Sequence, residues 1–386
     1  MKQLQERIVL IDALRGYALM GLFLVHMVEY YELFWYAPVD NAVNTWVFRF
    51  FGGKAYAMFA MLFGVSFYII LKRNADRGTD FRWRFVWRLT LLFAMGYVHG
   101  LLYTGDVLQV LAVSGLTLVC LWTVNNTIVL CISAVLLLQA PAYAFVAWLG
   151  HSGIDYAQPF YVVFQKAVYE YYAHGSFAQV IAANAVDGTL GKWCFMLESG
   201  RFSTMMGLGL LGFWLARINF FTDTARHGKK YWPLLITTVL LATGLSFGEH
   251  AFKQIPHPDN ADDVWNDIFG IYVDTLLMFA TVLILVLLYR LRLFKRILAW
   301  FAGAGRMTLS FYVVQSVVMV PFFYHFGFNA WRWIGQGESL LFGITLWMLQ
   351  LLLAQWWLRR YHYGPLEWCW RAATYGTTDV PFKKSL

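Results

Sequence analysis

The chain has 386 residues, of which 60% are hydrophobic, 19% aromatic and only 13% charged, and it carries a formal net charge of +8. That is more apolar surface than a water-soluble domain of this length can bury, which places the chain in a membrane. Its apolar runs are far longer than barrel strands and lack a period of two, so the spanning elements are helices.

In chain order the apolar runs fall near 9–28, 50–71, 86–103, 107–124, 127–149, 202–216, 232–249, 268–289, 298–322 and 339–358. Each approaches the roughly 20 residues needed to cross a hydrocarbon core, predicting an all-α polytopic membrane protein with about ten transmembrane helices. Of the 30 Lys and Arg, 21 lie at the N-terminus and in or beside alternate connections, against 5 in the remaining connections. The asymmetry predicts both termini in the cytoplasm of a bacterial inner-membrane protein and explains the basic charge as topology, not nucleic-acid binding. The first run is too long for a cleaved signal peptide and no small-residue cleavage site follows it, so it is expected to stay as an anchor. Cys120, Cys131, Cys194 and Cys369 have neither disulfide nor metal spacing, and no HExxH pattern occurs, so no metal is expected.

No Pro/Gly/Ser-rich linker interrupts the chain, so residues 1–386 read as one integral membrane domain. The long 150–200 connection, containing "QPFYVVFQKAVYEYYAHGSF", predicts one or two interfacial helices on the extracytoplasmic side, placed to roof a site or to rest as an aromatic belt on headgroups. The basic and aromatic "LKRNADRGTDFRWRFVWR" suits anionic lipid at the cytoplasmic face. In the cytoplasmic tail 359–386, "RRYHYGPLEWCWRAATYG" predicts a short interfacial helix with Pro365 in its first turn.

Ionisable residues inside spans are costly and therefore candidates for function. Arg15 and His26 stand eleven residues apart in the first run, about 20° from eclipse and about 16 Å apart along a helix. Asp12, three residues before Arg15, shares that face and can hold the guanidinium. Arg88 and His99 repeat the same spacing in the third run, with Asp106 seven residues beyond His99, and Arg306 begins the ninth run ahead of Ser310 and Gln315. Lys54 opens the second run, and Asp274 lies inside the eighth with no partner evident from the sequence. Arginine forks at the cytoplasmic ends suit a phosphorylated donor. A desolvated imidazole favours its neutral form and can accept a proton, making His26 a candidate general base. His99 would assist and Asp106 would orient an imidazole or the acceptor. Arg15, Asp12, Arg88, Arg306, Gln315 and Lys54 are the candidate substrate and donor contacts.

The stretches "IDALRGYALMG", "GKAYAMFAMLFGVSF", "GYVHGLLYTGDVL", "GRMTLSFYVVQS" and the closing "RRYHYGPLEWCWRAATYG" resemble the YeiB-like family of bacterial integral membrane proteins, the domain of unknown function 418, along nearly the whole chain. That family is in turn similar to the transmembrane acyltransferases, the acyltransferase-three proteins among them, whose first helix carries an Arg, ten intervening residues and a His in the working site. Arg15 and His26 reproduce that spacing. The resemblance implies a cytosolic acyl-CoA donor and a hydroxyl- or amine-bearing small-molecule, glycan or lipid acceptor at or across the membrane. The same residues would also serve a transporter of a small anionic metabolite, or a non-catalytic membrane protein surrounded by lipids. Self-association into a homo-oligomer is left open.

Overall fold

The computed structural model describes residues 2–39, 41–152, 158–221, 227–252 and 262–384. Among these the architecture is helical. Six helices are long and apolar enough to cross a membrane: Val9–Tyr36, Ala42–Ala75, Arg82–Leu102, Gly228–Gly248, Ile268–Leu288 and Gln336–Arg360. A seventh results if Arg292–Gly305 and Thr308–Phe323, which meet at a bend of 72°, form one span.

The chain opens with α1 (Lys2–Val28), a turn, and the short α2 (Leu33–Tyr36), followed by α3 (Ala42–Phe50), α4 (Lys54–Ala75) and α5 (Arg82–Leu102). The 107–124 run contracts to α6 (Leu108–Cys120), and the 127–149 run divides into α7 (Asn126–Leu137) and α8 (Ala140–Ser152). The break between them has a local cause. Gln139 takes a left-handed backbone at φ 58°, through which a right-handed helix cannot continue, and its buried side chain donates to the Thr204 hydroxyl at 2.7 Å.

The 150–200 connection folds into α9 (Phe160–His174), α10 (Phe177–Ala183), a π-helical turn over Asn184–Gly188, and α11 (Thr189–Glu198); its residues 153–157 lie outside the described residues. Tyr172 of α9 stacks on Tyr324 with ring centroids 4.3 Å apart, and its hydroxyl bonds that of Thr104 at 2.8 Å, so the segment is seated on the helix ends. The remaining helices are α12 (Arg201–Arg217), α13 (Tyr231–Phe252), α14 (Asp262–Leu288), α15 (Arg292–Gly305), α16 (Thr308–Phe323), α17 (Gln336–Arg360) and α18 (Pro365–Tyr375).

Surrounded by α3, α4, α15, α16 and α17, α1 is the centre of the bundle; Leu14, Leu19, Phe23 and Met27 are fully buried. A helix whose apolar residues are spread around its circumference is buried against neighbours on most sides. Glycines allow its closest neighbour to approach. A methyl at Gly305 of α15 would lie 1.7 Å from the Asp12 carbonyl oxygen, and one at Gly16 would lie 2.1 Å from that of Phe301, the small-residue packing expected between helices in lipid.

The predicted tail helix is α18, with Pro365 in its first turn. Its Glu367 carboxylate accepts from the Leu309 N–H at 2.7 Å, the Ser310 N–H at 3.0 Å and the Ser310 hydroxyl. The tail thus caps the N–H donors that have no partner within the helix where α16 restarts after the bend.

Candidate functional site

The predicted residues sort into two groups along α1, one around Arg15 near its middle and one around His26 at its C-terminal end, and two others lie apart. In the first group, the Arg15 guanidinium donates to Asp12 Oδ1 at 2.8 Å and to the Ser66 hydroxyl of α4. Asp12 is near both Arg15 and Arg306, and Arg88 is near Arg371 and Arg15, so two arginines face the buried acid and two more lie nearby. Arg88 lies 3.6 Å from the centroid of the Trp370 ring, whose indole N–H donates to the Arg88 carbonyl at 2.9 Å. Exposed Arg306 sits at the bend between α15 and α16 and donates to the His362 carbonyl at 3.1 Å.

At its C-terminal end α1 stops and the backbone turns through Tyr30, Tyr31 and Glu32, three successive non-glycine residues at φ 51°, 54° and 82°. Left-handed residues of this kind cost of order 1 kcal/mol or more each and persist where packing holds them. Here fully buried Tyr31 is wedged against Tyr103, Phe323 and the His26 ring. The turn folds Glu32 back toward His26.

His26 Nδ1 lies 2.8 Å from the Tyr103 hydroxyl and 3.3 Å from Glu29 Oε2. With Nδ1 engaged, Nε2 is the nitrogen left for chemistry, and it makes no hydrogen bond among the described residues. The Tyr103 hydroxyl also reaches Glu32 Oε1 at 3.2 Å, and the outer oxygens of the two acids take donors from elsewhere: Trp35 Nε1 to Glu29 at 3.2 Å and the Tyr169 hydroxyl to Glu32 at 3.4 Å.

The second histidine is part of the same layer. His99 Nδ1 lies 2.9 Å from Asp106 Oδ1, both side chains being almost wholly buried, while His99 Nε2 is buried without a hydrogen-bond partner. Tyr103 separates the imidazoles, its ring centroid 5.3 Å from that of His26 and 6.2 Å from that of His99. Tyr312 of α16 closes the far side of His99 at 5.1 Å. Buried Lys192 of α11 points toward Gly100. Burial pulls its ammonium below the ordinary range, and the nearby Asp106 carboxylate opposes that pull.

Lys54 and Gln315 stand outside both groups. Lys54 Nζ donates to Asp274 Oδ1 at 2.6 Å and to the Gly52 carbonyl at 2.8 Å, which supplies the partner Asp274 required and joins α4 to α14. Gln315 donates to Gln350 Oε1 at 2.8 Å, a contact between α16 and α17.

Glu29, Glu32, Tyr103, Tyr169 and Lys192 are absent from the sequence-based candidates. For Glu29 a signal exists in "HMVEYYEL", where it follows His26 at three residues and so lies near its helical side; Glu32, six residues on, is brought back only by the left-handed turn. Tyr169 and Lys192 arrive from distant elements and leave no local trace.

Residues 7–166 match the family model described as "Heparan-alpha-glucosaminide N-acetyltransferase, catalytic", a stretch that contains both arginine–histidine pairs. Residues 215–377 match that described as "Protein of unknown function (DUF418)". The chain is 24% identical to "Uncharacterized protein YxaH" of Bacillus subtilis (strain 168), covering 98% of this chain and 97% of the relative. It is 27% identical to "Uncharacterized protein YeiB" of Escherichia coli (strain K12), covering 96% of each. No solved structure matches the chain. The chain is thus similar to YeiB and YxaH over nearly its whole length, its C-terminal part matching the DUF418 model and the stretch with both histidines matching the N-acetyltransferase model.

Proposed function

We propose that this protein is a membrane acyltransferase, moving an acetyl-like group from a cytosolic acyl-CoA to a hydroxyl or amine acceptor. What supports the reading is one coincidence: the stretch matching an N-acetyltransferase catalytic model holds two imidazoles packed around Tyr103 and, about three turns back along α1 from His26, Arg15, whose surroundings include Arg88 and, from outside that stretch, Arg306.

In this reading both termini are cytoplasmic. The apolar runs that hold α6, α7 with α8, and α12 also cross, the short helices together with the segments flanking them, which gives about ten crossings. The donor's phosphates meet Arg15, Arg88 and Arg306, and Asp12 holds Arg15 in place. The thioester is carried toward His26. His26 Nε2 takes the proton of the acceptor O–H or N–H as the acceptor atom attacks the thioester carbonyl, and Glu29 and Tyr103 hold Nδ1. The carbon–sulfur bond then breaks and the leaving thiolate takes the proton back from the imidazolium, so the products are acylated acceptor and free CoA thiol. His99, oriented by Asp106, presents its open Nε2 to the acceptor.

The test is release of CoA thiol from acetyl-CoA by the purified full chain in lipid nanodiscs, across a panel of amines and alcohols. Acceptor-dependent release is expected. His26→Ala should lower it by about 100-fold or more, and Arg15→Ala should act mainly through the donor KM. Wild-type turnover by a folded, inserted His26→Ala protein would sink the assignment. Uptake of a small anion by vesicles without thiol release would favour transport instead.

A further inference from the structure

The cluster at the end of α1 has more ligand atoms than proton transfer uses. His26, Glu29 and Glu32 each bring one nitrogen or oxygen to a common point, all within 4.8 Å of one another. Each acid divides its two oxygens. Glu29 Oε1 accepts the Trp35 indole N–H at 3.2 Å and Oε2 faces His26 Nδ1 at 3.3 Å. Glu32 Oε2 accepts the Tyr169 hydroxyl at 3.4 Å and Oε1 accepts the Tyr103 hydroxyl at 3.2 Å, which also lies 2.8 Å from His26 Nδ1. One oxygen of each acid is therefore held from outside by an aromatic donor, and the other is aimed inward beside the imidazole nitrogen. Metal-ligating carboxylates are fixed in this way by hydrogen bonds from their surroundings.

The charge balance points in the same direction. Among the described residues neither carboxylate forms an ion pair with Lys or Arg, and the charges acting on Glu32 are those of Glu29 and His26. Two carboxylates in a largely buried site need compensation by a cation or a proton.

We propose that His26 Nδ1, Glu29 and Glu32 bind a divalent transition-metal ion of the zinc class. One imidazole nitrogen with two carboxylate oxygens is the mixed donor set that Zn²⁺ accepts, whereas Mg²⁺ and Ca²⁺ favour all-oxygen sites. Bonds of about 2.1 Å require the ligand atoms to close to within about 4 Å of each other, a small inward rotation of the two glutamates together with displacement of the Tyr103 hydroxyl that bridges Glu32 Oε1 and His26 Nδ1. The bound ion takes the Nδ1 lone pair and leaves the ring proton on Nε2. His26 then has no lone pair for the acceptor's proton, so the metal inhibits transfer. That consequence rests on the proposed base; the binding does not.

The experiment uses the full chain in nanodiscs, stripped with a chelator and titrated with Zn²⁺, Mn²⁺ or Mg²⁺ alone, followed by calorimetry and metal content after gel filtration. One Zn²⁺ per chain is expected, with Mg²⁺ weaker by about 100-fold. Glu29→Gln or Glu32→Gln should abolish tight binding, and Trp35→Phe, which touches only an outer oxygen, should weaken it about 10-fold; each variant is checked for an unchanged elution profile. Absence of Zn²⁺ uptake by the wild type, with an infrared carboxylic-acid band that disappears in Glu32→Gln, means that a proton occupies the site and overturns the proposal. Zinc binding undiminished in the Glu29→Gln/Glu32→Gln double variant overturns it as well. Zinc that binds as described yet leaves thiol release unchanged upholds the site and removes His26 as the base.

Discussion

The Tyr103 hydroxyl lies 2.8 Å from Nδ1 of His26, and the ring that carries it separates His26 from His99. One phenol thus sets the orientation of the first imidazole and the spacing to the second. Tyr103→Phe keeps the ring and removes the bridge. We expect CoA-thiol release to fall about 10-fold through kcat and stability to drop by about 1–2 kcal/mol, since a buried acceptor loses its donor. Steady-state kinetics beside thermal unfolding in detergent separates the two effects; an unchanged kcat means that the hydroxyl is packing only.

Lys54 and Asp274 form an ion pair remote from both groups, with side-chain exposures of 9% and 30%. Lys54→Met should cost about 1–3 kcal/mol, below the full penalty for breaking a buried pair because Asp274 is partly screened. Asp274→Asn should cost less, and the double variant should recover part of the loss. Acyl transfer in the folded fraction is expected to stay at the wild-type rate, measured as thiol release per folded protein.

Asp106 is the carboxylate nearest two buried basic groups, His99 and Lys192. Asp106→Asn should destabilise by about 1–3 kcal/mol, and Lys192→Met in the same chain should restore part of it. The pH dependence follows from the depressed ammonium. The unfolded chain holds that proton to a higher pH than the folded chain does, so the penalty of the buried charge is complete at low pH and is relieved as pH rises through the folded value, below the ordinary 10.5. The stability that Lys192→Met gains over wild type should therefore shrink from neutral pH toward about pH 10. A gap independent of pH would count against a buried ammonium.

Gly305 offers a steric test of the α1–α15 contact. A methyl there would meet the Asp12 carbonyl at 1.7 Å, whereas one at Gly244 of α13 meets nothing within 4 Å. Gly305→Ala should lower stability by about 1–3 kcal/mol and disturb the Asp12–Arg15 pair, raising the donor KM. Gly244→Ala should be neutral or slightly stabilising. Parallel thermal unfolding curves check both.

The membrane class, the long apolar helices and the repeated Arg-to-His spacing were legible in the residues themselves, because hydrocarbon sorts side chains by solvation free energy and a helix has a fixed period. The helix breaks were not. Gln139 and the turn at Tyr30 to Glu32 adopt backbones that local propensity disfavours, and only surrounding contacts hold them there. In the same way, Arg15 and His26 announced a shared helix face, but nothing in their spacing told which nitrogen is engaged, that Tyr103 stands between the histidines, or that Lys54 answers Asp274. Those pairings join residues tens to hundreds of positions apart. Side-chain chemistry and periodicity are local properties carried by the chain; which buried charge meets which partner depends on how the helices pack, and that was decided by the tertiary structure alone.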